Sequence, residues 1–376
     1  MPLFGKKQEM MPALNKLQFV QHKEYFVQGP TSCLALSTVQ GKEVVVASAL
    51  NSRGFIVMGV DGDKLWAFDT GATVYSLAVG DFAGKKVILA GSDEKVFAVS
   101  EDGKELWRYQ MPVSESKLMR MAESMRSGLE KISNIYGYND VYHLVAGKLD
   151  GQDVAIAYAG GHHLGAGPQV ISSDGKQVCA LKRRTWGSDY PYAVAFGTSL
   201  DIAPDGKSVI LWSTSSRNVF MVDPSGEIER QFSFKKEYAR QDRYVEGGGG
   251  TQDKYRGKLV AGRLNGVDAF VVGYPSWRSV AAESLDGQQL WDYITNSRSD
   301  LNSGINDIAI GTFNGQSTVI IGTFDCSVHL IDAYGRGLLV WKFPSNVNNV
   351  AFGSIQGKEA LAVGLNNGQI LSYRLA

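Results

Sequence analysis

Cysteine, histidine and any excess of one charge are scarce in this chain. Its 376 residues include three cysteines, Cys33, Cys179 and Cys326, set far apart with no CxxC pair and no Cys/His ladder. That excludes a disulfide framework and a zinc-finger type of site, and the three read as reduced structural residues. Basic and acidic side chains balance at 38 each. Phosphate recognition normally leaves a basic excess, so nucleic acid is not an expected partner. No window approaches the roughly 18 uninterrupted apolar residues of a membrane-spanning helix, so no transmembrane segment is expected. The N-terminal stretch carries Lys6, Lys7 and Glu9 and no apolar run before a small-residue cleavage site. No secretory signal is read there, and the cytoplasm is the expected compartment. With 44% apolar and 20% charged residues the chain is neither disordered nor fibrous.

Glycine, in contrast, is plentiful and periodic. Seven short apolar runs follow a glycine turn: QGKEVVV at Gly41, AGKKVIL at Gly84, DGQDVAI at Gly151, DGKSVIL at Gly206, NGVDAFV at Gly266, NGQSTVI at Gly315 and QGKEALA at Gly357. Each is preceded by another apolar run, which makes the glycine the centre of a hairpin. A second glycine, at 62, 103, 175, 226, 287 and 335, follows the first at 19 to 24 residues. The distance onward to the next unit is never below 22 residues but varies widely. Four short strands, A to D, in a unit of 42-odd residues are the signature of a propeller blade. The expected fold is all-β: a seven-bladed β-propeller of four-stranded blades. The last unit ends at ILSYRLA without a D strand, and QHKEYFV at 21–27 reads as the missing one. An N-terminal strand therefore completes the last blade. Residues 1–15 are expected to form a tail and 16–376 a single propeller domain, with insertions at 112–139 and 233–257.

The segments DGDKLWAFDTG (61–71) and SEDGKELWRYQ (100–110) resemble the D-x-x-G-x-x-L-W motif of PQQ-like propeller repeats. These occur in quinoprotein dehydrogenases and in noncatalytic relatives such as the outer-membrane assembly lipoprotein propeller. The dehydrogenases generally have eight blades, a secretory signal, a calcium site and often adjacent cysteines over the cofactor. The chain, without a CysCys pair, is similar to the noncatalytic branch, which implies no cofactor. GDFAG at 80–84 also resembles FG-GAP repeats, but with Asp81 as the lone acid it carries over no calcium site. Trp66, Trp107, Trp291 and Trp341 follow C–D turns and are expected to pack blade against blade rather than to cage a ligand.

The departures from the repeat carry the functional expectations. In a propeller the A–B and C–D turns share one face, and the long connections here fall on the other, where loop elaboration on a rigid scaffold signals function. The insertion after Pro112 places Leu118, Met121, Met125 and Leu129 at helical spacing, which predicts a helical insertion between blades 2 and 3. Its apolar stripe either packs on the propeller or offers a methionine-rich surface to a partner protein. The second insertion, with Gly247 to Gly250, reads as a flap bearing Arg240, Arg243 and Tyr244. Both insertions point to a noncatalytic scaffold that holds one or more proteins on this face. The alternative is an enzyme or carbohydrate-binding propeller, lyase-like or quinoprotein-like, with a site at the channel mouth. Its candidate residues are His143, His162, His163, Tyr190 and Tyr192, with Asn306 and Asp307 on the channel rim.

Overall fold

The computed structural model describes residues 17–112, 141–159, 168–180, 195–202, 208–214, 218–223, 227–233, 258–273, 279–295 and 304–376. Within these, β1 is Phe19–Phe26. Blade 1 is β2 (Thr31–Val39), β3 (Lys42–Ala49), β4 (Gly54–Gly59) and β5 (Lys64–Asp69). Blade 2 is β6 (Ser76–Phe82), β7 (Lys85–Ser92), β8 (Lys95–Ser100) and β9 (Glu105–Gln110). Blade 3 is β10 (Val141–Leu149), β11 (Gln152–Ala159), β12 (Gln169–Ser172) and β13 (Gln177–Ala180). Blade 4 is β14 (Ala195–Ile202), β15 (Ser208–Thr214), β16 (Asn218–Val222) and β17 (Ile228–Ser233). Blade 5 is β18 (Lys258–Leu264), β19 (Val267–Gly273), β20 (Ser279–Ser284) and β21 (Gln289–Ile294). Blade 6 is β22 (Ile305–Phe313), β23 (Gln316–Thr323), β24 (Ser327–Asp332) and β25 (Gly337–Lys342). The remaining sheet joins β26 (Val347–Ile355), β27 (Lys358–Leu365) and β28 (Gln369–Leu375) to β1 on its outer edge.

Six sheets are thus built from four consecutive strands, and one is shared between the chain ends. All neighbouring strands run antiparallel, and β1 pairs with β28 from Phe19↔Leu375 to Phe26↔Gln369. The innermost strands touch in a closed succession, β2 to β6, β10, β14, β18, β22, β26 and back to β2. The core follows the same circle. Wedges of apolar side chains fill the junctions between successive blades, such as Val46, Phe55, Ile88 and Phe97 between blades 1 and 2, or Ile305, Val319, Val271 and Trp291 between blades 5 and 6. The second strands β3, β7, β11, β19, β23 and β27 are buried on both faces, which is why runs like EVVVASA read as continuous apolar stretches rather than alternations. The outermost strands alternate, as in β5 and β9, because one of their faces meets solvent.

The described A–B turns are two-residue turns in which both positions have positive φ, as at Gln40 (51°) with Gly41 (70°) and Asn314 (53°) with Gly315 (71°). This mirror-image turn matches strand twist, and glycine supplies the second position without steric penalty. A carboxylate of the following blade then receives the turn N–H: Ala83 N donates to Asp153 at 2.7 Å and Asn314 N to Glu359 at 2.7 Å. Glu43 does the same for Gln356 and Gly357, tying the composite blade to blade 1.

The C–D turns dock against the preceding blade. Trp66 Nε1 donates to Glu101 O at 3.1 Å, Trp107 Nε1 to Ser173 O at 2.8 Å and Trp291 Nε1 to Ala333 O at 2.9 Å. Each indole lies over the next turn's glycine so closely that a Cβ on Gly335 would come within 2.7 Å of Trp291. Four residues after the glycine, blade 4 has Arg230 in place of tryptophan, and its guanidinium reaches the corresponding carbonyl, Leu285 O, at 2.9 Å. In β1 the position belongs to Lys23, whose aliphatic stem covers Gly62. Blade 6 has Leu339 there, because the sheet it faces is split between the chain ends and has no C–D turn to bind. Trp341, expected to act like the other three tryptophans, lies two residues further on and packs on Phe19 and Tyr373 instead.

One part of the fold expectation is corrected. The described residues are all-β, and no helical insertion is seen among them. The stretch expected to be helical, including Leu118, Met121, Met125 and Leu129, lies outside the described residues, as does the expected tail at 1–15. No helix among the described residues is long and apolar enough to cross a membrane.

Candidate functional site

Antiparallel order puts the start of every A strand at the end of the ring opposite the glycine turns, where the long connections enter. One register position there recurs in all seven sheets. It is held by Cys33, Ser76, His143, Gly197, Lys258, Asp307 and Asn349, which pair across the sheet with Ser48, Gly91, Tyr158, Ser213, Gly273, Gly322 and Gly364. In several blades a β-bulge just before the position turns an extra residue outward, as at Asn306 and Asn348. The opposing glycine admits the first A-strand residue of the next blade: a Cβ on Gly322 would lie 2.7 Å from Val347, and one on Gly364 2.8 Å from Thr31. Close approach of neighbouring sheets at the channel mouth is therefore written into the sequence.

These side chains reach sideways to the following blade. Cys33 Sγ donates to Val74 O at 3.7 Å and Ser76 Oγ to Val141 O at 2.6 Å. Lys258 Nζ lies 3.3 Å from Asp307 Oδ1, while Asp307 Oδ2 accepts from Val350 N at 3.0 Å. Asn349 Nδ2 donates to Ser32 O at 3.3 Å, and its Oδ1 has no protein partner. The bulge residues add a parallel set, Asn306 Nδ2 to Val347 O at 2.7 Å and Asn348 Nδ2 to Thr31 O at 3.0 Å. Burial pushes the Cys33 thiol up to about 12, with Lys258 pulling weakly the other way, so it is no thiolate nucleophile at neutral pH. Alkylation followed by mass spectrometry is expected to leave Cys33 unmodified in the folded protein and to label it fully in denaturant. Rapid labelling of the native protein would contradict the buried, protonated thiol.

The outer turns are built on this same frame, with tryptophan and glycine meeting across three of the described junctions. A family model described as outer membrane protein assembly factor BamB matches residues 25–133. Over that stretch, which is under a third of the chain, the repeats are similar to PQQ-like propeller repeats. No curated protein matches the sequence. Among solved structures, one titled as BBS1N in complex with ARL6DN, soaked with mercury, is similar at a TM-score of 0.64 and 11% identity, covering 96% of this chain and 98% of that chain. At that identity the likeness is one of fold.

In this propeller, His143 is buried at the start of β10 and belongs to the recurring channel-mouth position. His162, His163, Tyr190, Tyr192, Arg240, Arg243 and Tyr244 lie outside the described residues. The structure sets the rim candidates Asn306 and Asp307 among blade-to-blade hydrogen bonds. Cys33, Ser76, Lys258 and Asn349 were not singled out by sequence reasoning. A signal for them exists: each stands eight residues before an A–B glycine, as do His143 and Asp307. Among the described residues, no three His, Cys, Asp or Glu side chains sit together as a metal cluster.

Proposed function

We propose that this PQQ-like propeller is a noncatalytic scaffold that binds one or more proteins on the face where its long connections emerge. The observation that carries this reading is the channel mouth. The polar groups that a small ligand would meet there, those of Cys33, Ser76, Lys258 and Asp307, are engaged in holding blades to one another, and Cys33 is a neutral thiol. Such a rim is suited to presenting loops around it rather than to proton transfer or nucleophilic attack. A propeller of the same fold is titled as a complex with another protein, ARL6DN, which supports the scaffold reading by analogy of architecture. The loops proposed to make the contact are 112–139, with Leu118, Met121, Met125 and Leu129, and 233–257, with Arg240, Arg243 and Tyr244.

The test uses the full chain purified from its native lysate alongside two variants. One replaces residues 114–134 by a short Gly-Ser linker, and the other carries Arg240→Ala, Arg243→Ala and Tyr244→Ala. Proteins that copurify with the natural chain are expected to be lost from at least one variant and kept by His143→Gln. If both loop variants retain every partner, the scaffold face is misassigned.

A further inference from the structure

A second recurring contact joins neighbouring blades further out. Six residues after the C–D glycine, an aromatic side chain of the D strand meets one register position on the C strand of the next blade. Between blades 1 and 2, Phe68 meets Phe97 edge to face with ring centroids 5.9 Å apart. Between blades 4 and 5, Phe232 shares a buried cluster with Ala281. Between blades 2 and 3 the aromatic is Tyr109, whose hydroxyl lies 3.1 Å from Gln177 Oε1 and 3.4 Å from Gln169 Oε1. Between blades 5 and 6 it is Tyr293, whose hydroxyl lies 3.2 Å from His329 Nδ1. Apolar rings therefore face apolar residues, and hydroxylated rings face a polar partner. That is what burial of a phenol demands. Trp341 holds the same position after Gly335 and packs on Tyr373 of the next sheet. Of these contacts, the one between blades 5 and 6 contains an imidazole.

His329 is 3% exposed, and its Nε2 has no protein hydrogen-bond partner. Three other groups bear on its charge. The Tyr293 phenol faces it from β21, Asp325 lies in the loop leading into β24, and Lys342 lies on β25. Asp325 favours a charged imidazole and Lys342 opposes it, but the carboxylate is already engaged. It lies 3.2 Å from Lys342 Nζ and accepts from Thr323 at 2.5 Å and Ser327 at 2.6 Å. Burial dominates and holds the imidazole below the ordinary histidine range, with the Lys342 contribution in the same direction. A protonated ring must place a second N–H and a full charge in this dry seam, whereas a neutral ring keeps the tyrosine contact in either tautomer.

We propose that the junction between blades 5 and 6 is an acid-sensitive seam, in which protonation of His329 places an unpartnered Nε2–H and a full charge beside Tyr293 and loosens β21 from the sheet of blade 6. The sign follows from linkage. A histidine whose folded value lies below its unfolded one contributes stability fully present above the unfolded value. That stability is lost as pH falls through the folded value, at up to about tenfold in the opening equilibrium per pH unit. The repeat itself supplies a neutral comparison, because a glutamine, Gln169, occupies the position of His329 opposite Tyr109.

Amide hydrogen exchange on the intact protein tests this at about pH 8 and about pH 5, on either side of the ordinary histidine range. After correction for intrinsic exchange, protection of β21 and β24 is expected to fall about tenfold or more at the lower pH. The Phe68–Phe97 seam should be unchanged. In His329→Gln, protection at the higher pH should remain and the acid response of β21 should vanish. Equal protection of the natural protein at both pH values would overturn the proposal, and so would an unchanged acid response in the variant. Should the variant fail to fold, the histidine resonances of the natural protein decide. Titration of His329 within or above the ordinary range, or without concurrent loosening of β21, overturns the proposal, whereas titration below that range in step with the opening upholds it.

Discussion

Trp291→Ala is expected to lower the unfolding free energy by about 3–5 kcal/mol, read from chemical denaturation. The indole is 7% exposed, lies in the wedge between blades 5 and 6, and donates to Ala333 O. Its removal leaves a cavity, an unpartnered carbonyl and a turn glycine with nothing over it. Arg230→Ala, at the equivalent position of blade 4, should cost less, about 1–2 kcal/mol, since it forfeits a charge-assisted hydrogen bond at a partly solvated site. Leu339→Trp should bring no gain, because no C–D turn faces it. A Trp291→Ala variant within about 1 kcal/mol of the natural protein would mean that the turn docking is decorative.

A chain beginning at Pro30, without β1, is expected to lose more than about 4 kcal/mol, beyond the range of ordinary single substitutions. The truncation removes the whole ladder from Phe19↔Leu375 to Phe26↔Gln369, the buried Tyr25 with its 2.6 Å hydrogen bond to Val60 O, and the Phe19 contacts with Phe313 and Trp341. It also bares the edge of β28, which invites association between chains. A lowered unfolding midpoint with oligomers in size-exclusion chromatography is the expected result, partly reversed by a peptide covering residues 17–28. An unaltered midpoint would show that β1 contributes nothing to closure.

Much of this architecture could be read from glycine alone. Positive φ at the second position of the A–B turn leaves few alternatives to glycine, so Gly41, Gly84 and Gly315 mark hairpins wherever they stand. The absent D strand after ILSYRLA likewise points to the other terminus, and β1 occupies that edge. Contacts between blades were harder to see. Trp341 resembles the docking tryptophans in its neighbourhood, and only its offset from Gly335 tells it apart. The channel-mouth residues differ chemically in every blade, from thiol to ammonium to amide, so no residue pattern flags them; their constancy is positional. Tyr293 and His329 are 36 residues apart and acquire meaning only when two sheets are brought face to face.

The shared sheet also governs how the molecule comes into being. Phe19 leaves the ribosome well before its partner Leu375 is made. At ~5–20 residues per second, the first strand waits roughly 20–70 s for its complement. Throughout translation it must stay unattached without recruiting a stray edge from another nascent chain. Charged Lys23 and Glu24 in the middle of β1 are appropriate to that delay, since they keep the waiting segment hydrated until the circle can shut.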